Sequence, residues 1–357
     1  MILSPFSSLG GHQAPITCVR FTRDGKYALT ASHDRTVRLH NPTRIDSTDS
    51  ISSSYTVALP PSTSTSTSTS TPTPSSAAPK AFFIKQYGGG HSKEITNITV
   101  NSSNSHFATC GGDKSVFLWD VVKGTILRRF EGHSSRVNCL DMNHDGSVLA
   151  SGGYDSTVCF WDVRASNSFK PIQTLSDFKD SVTALVLPTI VNSNSNSNNN
   201  KPSSTPSSTS TFEVVTASVD GFVRTYDLRM GQLRSDDFHS PVTSIAMSSD
   251  QNCLAASCLN GKIRLVERSS GVPLSEYTGH KAGNYGLDVS IMCDDITLAS
   301  GSEDGKVYLY DLVKKTPSQI IAACSPLAPK KAVCSLATHP KKKILLAATA
   351  SEVICYT

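Results

Sequence analysis

Apolar and polar residues alternate in short runs along most of the chain, as in Ile16-Thr-Cys-Val-Arg-Phe21 and Thr36-Val-Arg-Leu39. A period of two over four to seven residues predicts strands with one buried face. Asp24-Gly25, Asp145-Gly146, Asp220-Gly221 and Asp304-Gly305 mark tight turns between such runs. The runs recur as a unit. Each unit has a Gly-His pair, an alternating run, a small-residue strand that ends in Asp, and a β-branched run that ends in an aromatic residue and Asp.

Two copies are complete. One contains Gly90-His91, Ile95–Val100, the strand leading to Asp113, and Trp119-Asp120; the next contains Gly132-His133, Val137–Met142, Asp155 and Trp161-Asp162. In both, the His lies 22 residues before the turn Asp and 29 before the terminal Asp. A copy before them keeps both spacings with His12, Asp34 and Asn41, but carries His40 at the Trp position. Three degraded copies follow: one with Asp220, Tyr226 and Asp227, one with His239, Asn260 and Glu267, and one with His280, Asp304, Tyr310 and Asp311, two residues longer. A seventh copy lies on Leu345–Thr357, with Ala350 at the turn and Tyr356 at the Trp position.

With two biased segments set aside, the repeat is about 42 residues long, the length of a four-stranded propeller blade. A lone four-stranded sheet leaves apolar faces open to water, and stacking the sheets radially covers both faces and leaves only short edges. The expected fold is therefore all-β, a seven-bladed β-propeller of four-stranded antiparallel blades. The seventh copy lacks a fourth strand at its end. The unassigned segment Met1–Leu9 is expected to supply it and close the ring, with Pro5 tolerated on an edge strand.

The Gly-His and Trp-Asp pairs at these distances resemble the WD-repeat family over the whole chain outside the two biased segments. The resemblance implies that His12, Thr30 and Asp34, His91, Thr109, Asp113 and Trp119, and His133, Ser151, Asp155 and Trp161 form structural hydrogen-bond relays. It extends the same role to Thr216 and Asp220 and to His280, Ser300 and Asp304. In such a relay the Asp accepts from His, His meets the hydroxyl, and the hydroxyl meets the indole N–H. A catalytic Ser/Thr-His-Asp reading is rejected, because a nucleophile system needs one site and these residues recur around a ring. Ala217–Leu233, Glu276–Lys281, Ser302–Val307 and the long stretch Lys281–Ser290 further resemble a branch of the family that scaffolds MAP kinase cascades and associates with the spliceosome. That likeness implies a non-enzymatic scaffold with protein partners, found in the cytoplasm and nucleus.

Composition changes the picture in two places. Pro61–Ser76 holds 13 Ser or Thr in 16 positions, and Asn192–Asn200 is six Asn and three Ser. Such segments bury too little apolar surface to offset ordering entropy, so 43–80 and 189–211 are expected to be disordered inserts in blades 1 and 4. Strand parity makes the first a loop between third and fourth strands and the second a loop between first and second. Both therefore leave the ring on one face. The opposite face keeps short loops and is expected to hold the partner site. Its candidate contacts are His33, Gly112, Tyr154, Val219, Leu259 and Glu303, each before a turn residue, and Arg136 after Gly132-His133.

Other classes are excluded. The chain of 357 residues has no apolar stretch of 18 or more, and its N-terminus has no basic segment ahead of a long apolar one. No transmembrane helix and no signal peptide are expected. Ten cysteines are scattered without a C-x-x-C pair, which fits reduced, buried thiols better than a disulfide scaffold or a zinc site. No cofactor is implied. Gly301-Ser-Glu-Asp-Gly305-Lys306 has three residues between its glycines where a phosphate loop has four, and Val307 follows where Ser or Thr is required. A net charge of +4 is too small to imply direct nucleic-acid binding, and the cluster Lys330, Lys331 and Lys341–Lys343 reads as a solvated rim. Asp162-Val-Arg164 and Asp227-Leu-Arg229 resemble the box by which propeller substrate receptors dock on the adaptor of a cullin-type ubiquitin ligase, an alternative function.

Overall fold

The structure is a computed structural model that describes residues 3–46, 78–165, 169–188, 213–323 and 331–357. Among these residues it has seven four-stranded antiparallel sheets and no helix. Blade 1 is built from Ile16–Phe21, Ala28–Ser32, Val37–Ile45 and Ala81–Tyr87, in that order from the axis outward. Blades 2 to 6 repeat the order, and each first strand lies beside the first strands of both neighbouring blades, so the sheets close into a seven-bladed β-propeller. The second strand of each blade is the most buried, as in Ala28–Ser32 and Leu345–Thr349, where every residue is inaccessible. Small residues dominate there because both faces press against adjacent sheets at interior packing density. The apolar clusters are correspondingly shared between blades: Leu29, Tyr87, Ile98 and Trp119 belong to one that joins blades 1 and 2.

Blade 7 is completed from the other end of the chain. Pro5–Leu9 pairs antiparallel with Val353–Tyr356 as its outermost strand, with Leu9 opposite Val353 and a register shift between Pro5 and Ser7. Beyond the strand, Ser4 and Thr357 exchange two backbone hydrogen bonds of 3.1 Å. Leu3 and Leu9 are buried in two separate clusters on the blade 6 and blade 1 sides. Closure is thus hydrogen-bonded as well as hydrophobic.

One sequence expectation, disorder from residue 43 onward, changes at the start of the first biased segment. Its third strand does not stop at Asn41 but runs to Ile45, which pairs with Ala81, and the Arg44 guanidinium lies 4.4 Å from the Phe82 ring centroid. The segment's base is also tied to blade 7, where Ser8 N–H donates to Pro79 and Ser7 Oγ to Pro42. Residues 47–77 and 189–211, the bulk of the two expected inserts, lie outside the described residues. The connections that carry them join third to fourth strand and first to second strand, hence leave on the same face.

The first strands also carry a set of contacts between blades. Thr17 Oγ1 donates to the Ile95 carbonyl at 2.7 Å, Thr96 to Val137 at 2.6 Å, Asn138 Nδ2 to Val182 at 2.8 Å and Thr183 to Val242 at 2.7 Å. Each residue is second in its strand and reaches the first residue of the next blade. At the rim, Tyr87 and Tyr277 hydroxyls donate to the Val121 and Leu312 carbonyls of the following blades.

Removing residues 1–9 strips blade 7 of an outer strand and exposes the cores around Leu3 and Leu9. The melting temperature is expected to fall by several degrees; a melting curve identical to that of the full chain would show that this strand does not hold the ring closed. The point variant Leu9→Ala is expected to cost about 2–5 kcal/mol in denaturant unfolding.

Candidate functional site: the turn face of the ring

On the face opposite the two long connections, each turn between second and third strands of blades 1 to 6 meets the loop that enters its own blade. In blade 2, Asp113 accepts from His91 Nδ1 at 3.0 Å, and His91 Nε2 lies 2.8 Å from Thr109 Oγ1. The same hydroxyl accepts the Trp119 indole N–H at 2.9 Å. Because the indole N–H can only donate, one tautomer satisfies the chain: indole to hydroxyl, hydroxyl to Nε2, Nδ1–H to carboxylate. Blade 3 repeats it with Trp161, Ser151, His133 and Asp155 at 2.9, 2.8 and 3.0 Å.

The geometry also explains why Gly-His travels with Trp-Asp. A Cβ on Gly90 would come within 2.9 Å of the Trp119 ring, and one on Gly132 within 2.8 Å of Trp161. Glycine makes room for the indole that its neighbouring histidine serves. Blade 1 has His12 Nδ1 and Nε2 at 2.8 Å from Asp34 and Thr30, but His40 stands in for Trp. His40 is buried with Nδ1 unpartnered, and burial, then the nearby His12 and Arg38, push its pKa down to about 4. It is neutral filler rather than a donor to Thr30.

The relay expected of Thr216 and Asp220 does not form. Phe178 takes the place of the histidine, and Arg224 pairs with Asp220 at 2.8 Å with both side chains almost fully buried. The guanidinium lies 5.1 Å from the Phe178 and Phe222 ring centroids, and Thr216 donates to the Arg224 carbonyl instead. The relay expected of His280, Ser300 and Asp304 does not form either. Tyr308 Oη donates to Asp304 at 2.9 Å, His280 Nδ1 meets Tyr310 Oη at 3.2 Å, and Ser300 turns to the Gly301 carbonyl. The two extra residues between His280 and Asp304 carry the ring out of reach of the carboxylate. In blade 5 the residue at the histidine position is Phe238, not His239, which is exposed and pairs with Asp237. Sequence reasoning missed Arg224 and Tyr308. Their signal was a polar residue four places after the turn Asp, where the intact copies carry Phe117 and Cys159.

The carboxylates are tuned alike. Burial pushes Asp113 up, but His91 and the backbone N–H groups of Ser92 and Ser115 outweigh it and hold the group below the usual carboxylate range. Asp34 is held low by Thr36 and His12, Asp155 by His133 and Thr157, Asp220 by Arg224, and Asp304 by Ser302 and Tyr308, each against an opposing burial effect.

These turns identify the chain. A model of the WD domain, G-beta repeat, matches residues 3–41, 83–120, 124–162, 231–267 and 271–311, more than half of the sequence. The chain belongs to the WD40-repeat family. The WD40 match omits the three inner strands of blade 4, whose turn Asp is served by Arg224, and of blade 7, whose turn carries Ala350. Among curated relatives, the WD repeat domain-containing protein 83 of Rattus norvegicus is 35% identical over 96% of this chain and 88% of its own length. A homolog of that protein in Dictyostelium discoideum is 29% identical over 85% and 84%. An uncharacterized WD repeat-containing protein of Schizosaccharomyces pombe is 38% identical over 85% and 82%. WD40 propellers typically serve as non-catalytic interaction scaffolds, and this chain is a WD40 propeller by family.

On the WD40 turn face, His33, Arg136 and Tyr154 are exposed, Tyr154 at 62%, and Tyr154 N–H donates to the Arg136 carbonyl at 2.8 Å. Glu303 is engaged within its own blade. Its Oε1 accepts the backbone N–H groups of Asn284 and Tyr285 and pins the long loop of blade 6. Arg164 and Arg229 follow third strands on the other face. Asp162 and Asp227 cap their backbone N–H groups, and the Arg164 side chain pairs with Asp145 of its own blade at 2.6 Å. Lys330 lies outside the described residues; Lys343 pairs with Asp294. On the axis, a cavity of about 330 Å³ is lined by Arg20, Asp141 and Asp288 among others. Asp288 there accepts from Ser244 and Ser335 and faces Arg20 at 3.6 Å, while Asp141 accepts from Thr99, so these charges are engaged within the ring.

Gly132→Ala is expected to destabilise the chain by about 1–3 kcal/mol through overpacking against Trp161, measured by urea unfolding. Asp155→Ala strands His133 and Ser151 and is expected to cost about 1–3 kcal/mol. The turn carboxylates have folded pKa values below the unfolded value near 3.9. Their contribution is present above that value and lost as pH falls through the folded one. The variant Asp113→Asn/Asp155→Asn is therefore expected to melt lower than wild type at pH 7, yet to lose less melting temperature between pH 5 and pH 3. An equal acid sensitivity would contradict the assignment.

Proposed function

We propose that this propeller assembles a multiprotein complex of MAP kinase cascade or pre-mRNA splicing components, working in the cytoplasm and nucleus without catalysis of its own. The observation that carries the reading is similarity along the whole ring to the WD repeat domain-containing protein 83 group, covering 96% of this chain in the rat relative. The turn face supports it, since each turn of blades 1 to 6 is bonded to the entering loop and is preorganised for a partner. The alternative is a substrate receptor for a cullin-type ubiquitin ligase. Its support is the placement of Arg164 and Arg229 at equivalent turns of adjacent blades, with the Arg164 side chain exposed.

Affinity purification of the intact chain from its own cells separates these readings. Recovery of kinase-cascade or spliceosome proteins is expected, and recovery of neither would remove the proposal. A cullin adaptor that binds wild type but not Arg164→Ala/Arg229→Ala would install the ligase reading in its place.

A further inference from the structure

The residue after each turn Asp or Asn sits in the left-handed region in blades 1 to 6. Blades 4, 5 and 6 use glycine there, Gly221, Gly261 and Gly305, at φ of 86°, 75° and 76°. Blades 1 and 2 place Arg35 and Lys114 in the same conformation, both at φ 65°, and blade 3 places Ser156 at 58°. An L-residue is strained at such an angle, and the turn itself gains nothing from a long side chain. Arg35 and Lys114 are exposed and form no ion pair among the described residues. Strain without a structural return points to a use outside the fold.

The neighbouring loops agree. Lys93 enters blade 2 and Arg136 enters blade 3, both exposed and likewise without an ion pair among the described residues. The acidic groups of the same turns face inward, where His12, His91 and His133 hold Asp34, Asp113 and Asp155. Two acidic groups near these loops and turns are outside the relays: Glu94 is half-buried against Gly112, and Glu131 is taken up by Arg129 at 2.9 Å. Three consecutive blades therefore show solvent four cations on one face, with the exposed Tyr154 hydrogen-bonded through its backbone to the last of them, Arg136. On blades 4 and 6 the cations of this face, Lys179, Lys281 and Lys306, share it with Asp177, Asp180 and Glu303.

We infer that the turn face of blades 1 to 3 is a docking sector for an acidic, extended segment of a protein partner. Arg35, Lys93, Lys114 and Arg136 meet its carboxylates, and Tyr154 packs on its chain. Charge complementarity selects the occupant: four uncompensated cations attract a polyanion, steer its approach and lose hold as salt rises. An aromatic anchor among them suits a polypeptide with side chains to pack. The inference rests on the scaffold reading and adds the class of partner.

The test uses the full chain and a fluorescein-labelled twelve-residue peptide of Glu and Asp with one central Leu, followed by anisotropy at low and at physiological salt. Wild type is expected to bind, more weakly as salt rises. Arg35→Gly/Lys114→Gly copies the turns of blades 4 to 6, so it is expected to melt no lower than wild type and to bind at least tenfold more weakly. Lys93→Gln/Arg136→Gln is expected to weaken binding similarly, and Lys341→Gln/Lys342→Gln on the opposite face to leave it unchanged. Absence of binding by wild type, or equal binding by Arg35→Gly/Lys114→Gly, overturns the inference. So does tighter binding of a single-stranded oligonucleotide that depends on the same four residues. Using Arg35→Gly/Lys114→Gly as bait separates the two readings. If it keeps every protein that wild type captures, the acidic sector falls while the scaffold stands; if wild type captures none, the scaffold reading falls itself.

Discussion

A carboxylate that sits at a turn, largely withdrawn from water, and must be given donors is the constraint around which five of the seven blades are organised, with Asn260 and Ala350 in its place in blades 5 and 7. The turn geometry itself supplies some: Asp34, Asp220 and Asp304 each accept the backbone N–H two residues on. The entering loop supplies another, from Gln13, Ser92, Ser134 or Lys179. What remains is one strong side-chain donor, and here the blades diverge. Histidine supplies it in blades 1 to 3, Arg224 in blade 4 and Tyr308 in blade 6. A buried polar group left without a partner costs more than a made bond gains, so the need recurs around the ring while the donor changes.

This accounts for how far the fold and the site were legible in the sequence. Strand order, blade number and the closing strand follow from spacing and from the period of two, because seven similar sheets have few other ways to cover both faces. The relays of blades 2 and 3 are legible because all four members are present at fixed spacing. His280 misleads because spacing alone does not report that two inserted residues move a ring away from Asp304. His239 misleads because one residue of slip places Phe238 in the pocket instead. Arg224 is hidden by the opposite error: an arginine inside an alternating strand reads as solvent-facing until the Phe178 ring is seen to lie beside it. The strand continuing to Ile45 was missed because a polar stretch masks the pairing with Ala81.

The two faces of the ring are consequently different materials. One is made of turns, four of them tied by a carboxylate to the loop beside them, with uncompensated cations on three consecutive blades. The other bears the long connections of blades 1 and 4, together with Arg164 and the lysines near His339. Between them the second-position Thr and Asn of the first strands bind one blade to the next near the axis, and Tyr87 and Tyr277 do so at the circumference. Binding energy applied on the turn face is therefore transmitted to a body fixed at two radii rather than to independent sheets.

The pairing of Pro5–Leu9 with Val353–Tyr356 imposes an order on biosynthesis. Of the two paired strands, the one made earlier receives its partner only after more than 300 further residues have been added. During that interval it is a free edge, and free edges recruit other strands. Its five residues, the missing N–H of Pro5 and the bulge beside Ser7 make it a poor template for any strand other than the one it awaits. The sheet that seals the ring is thus also the last to exist, and its nascent half is shaped to wait.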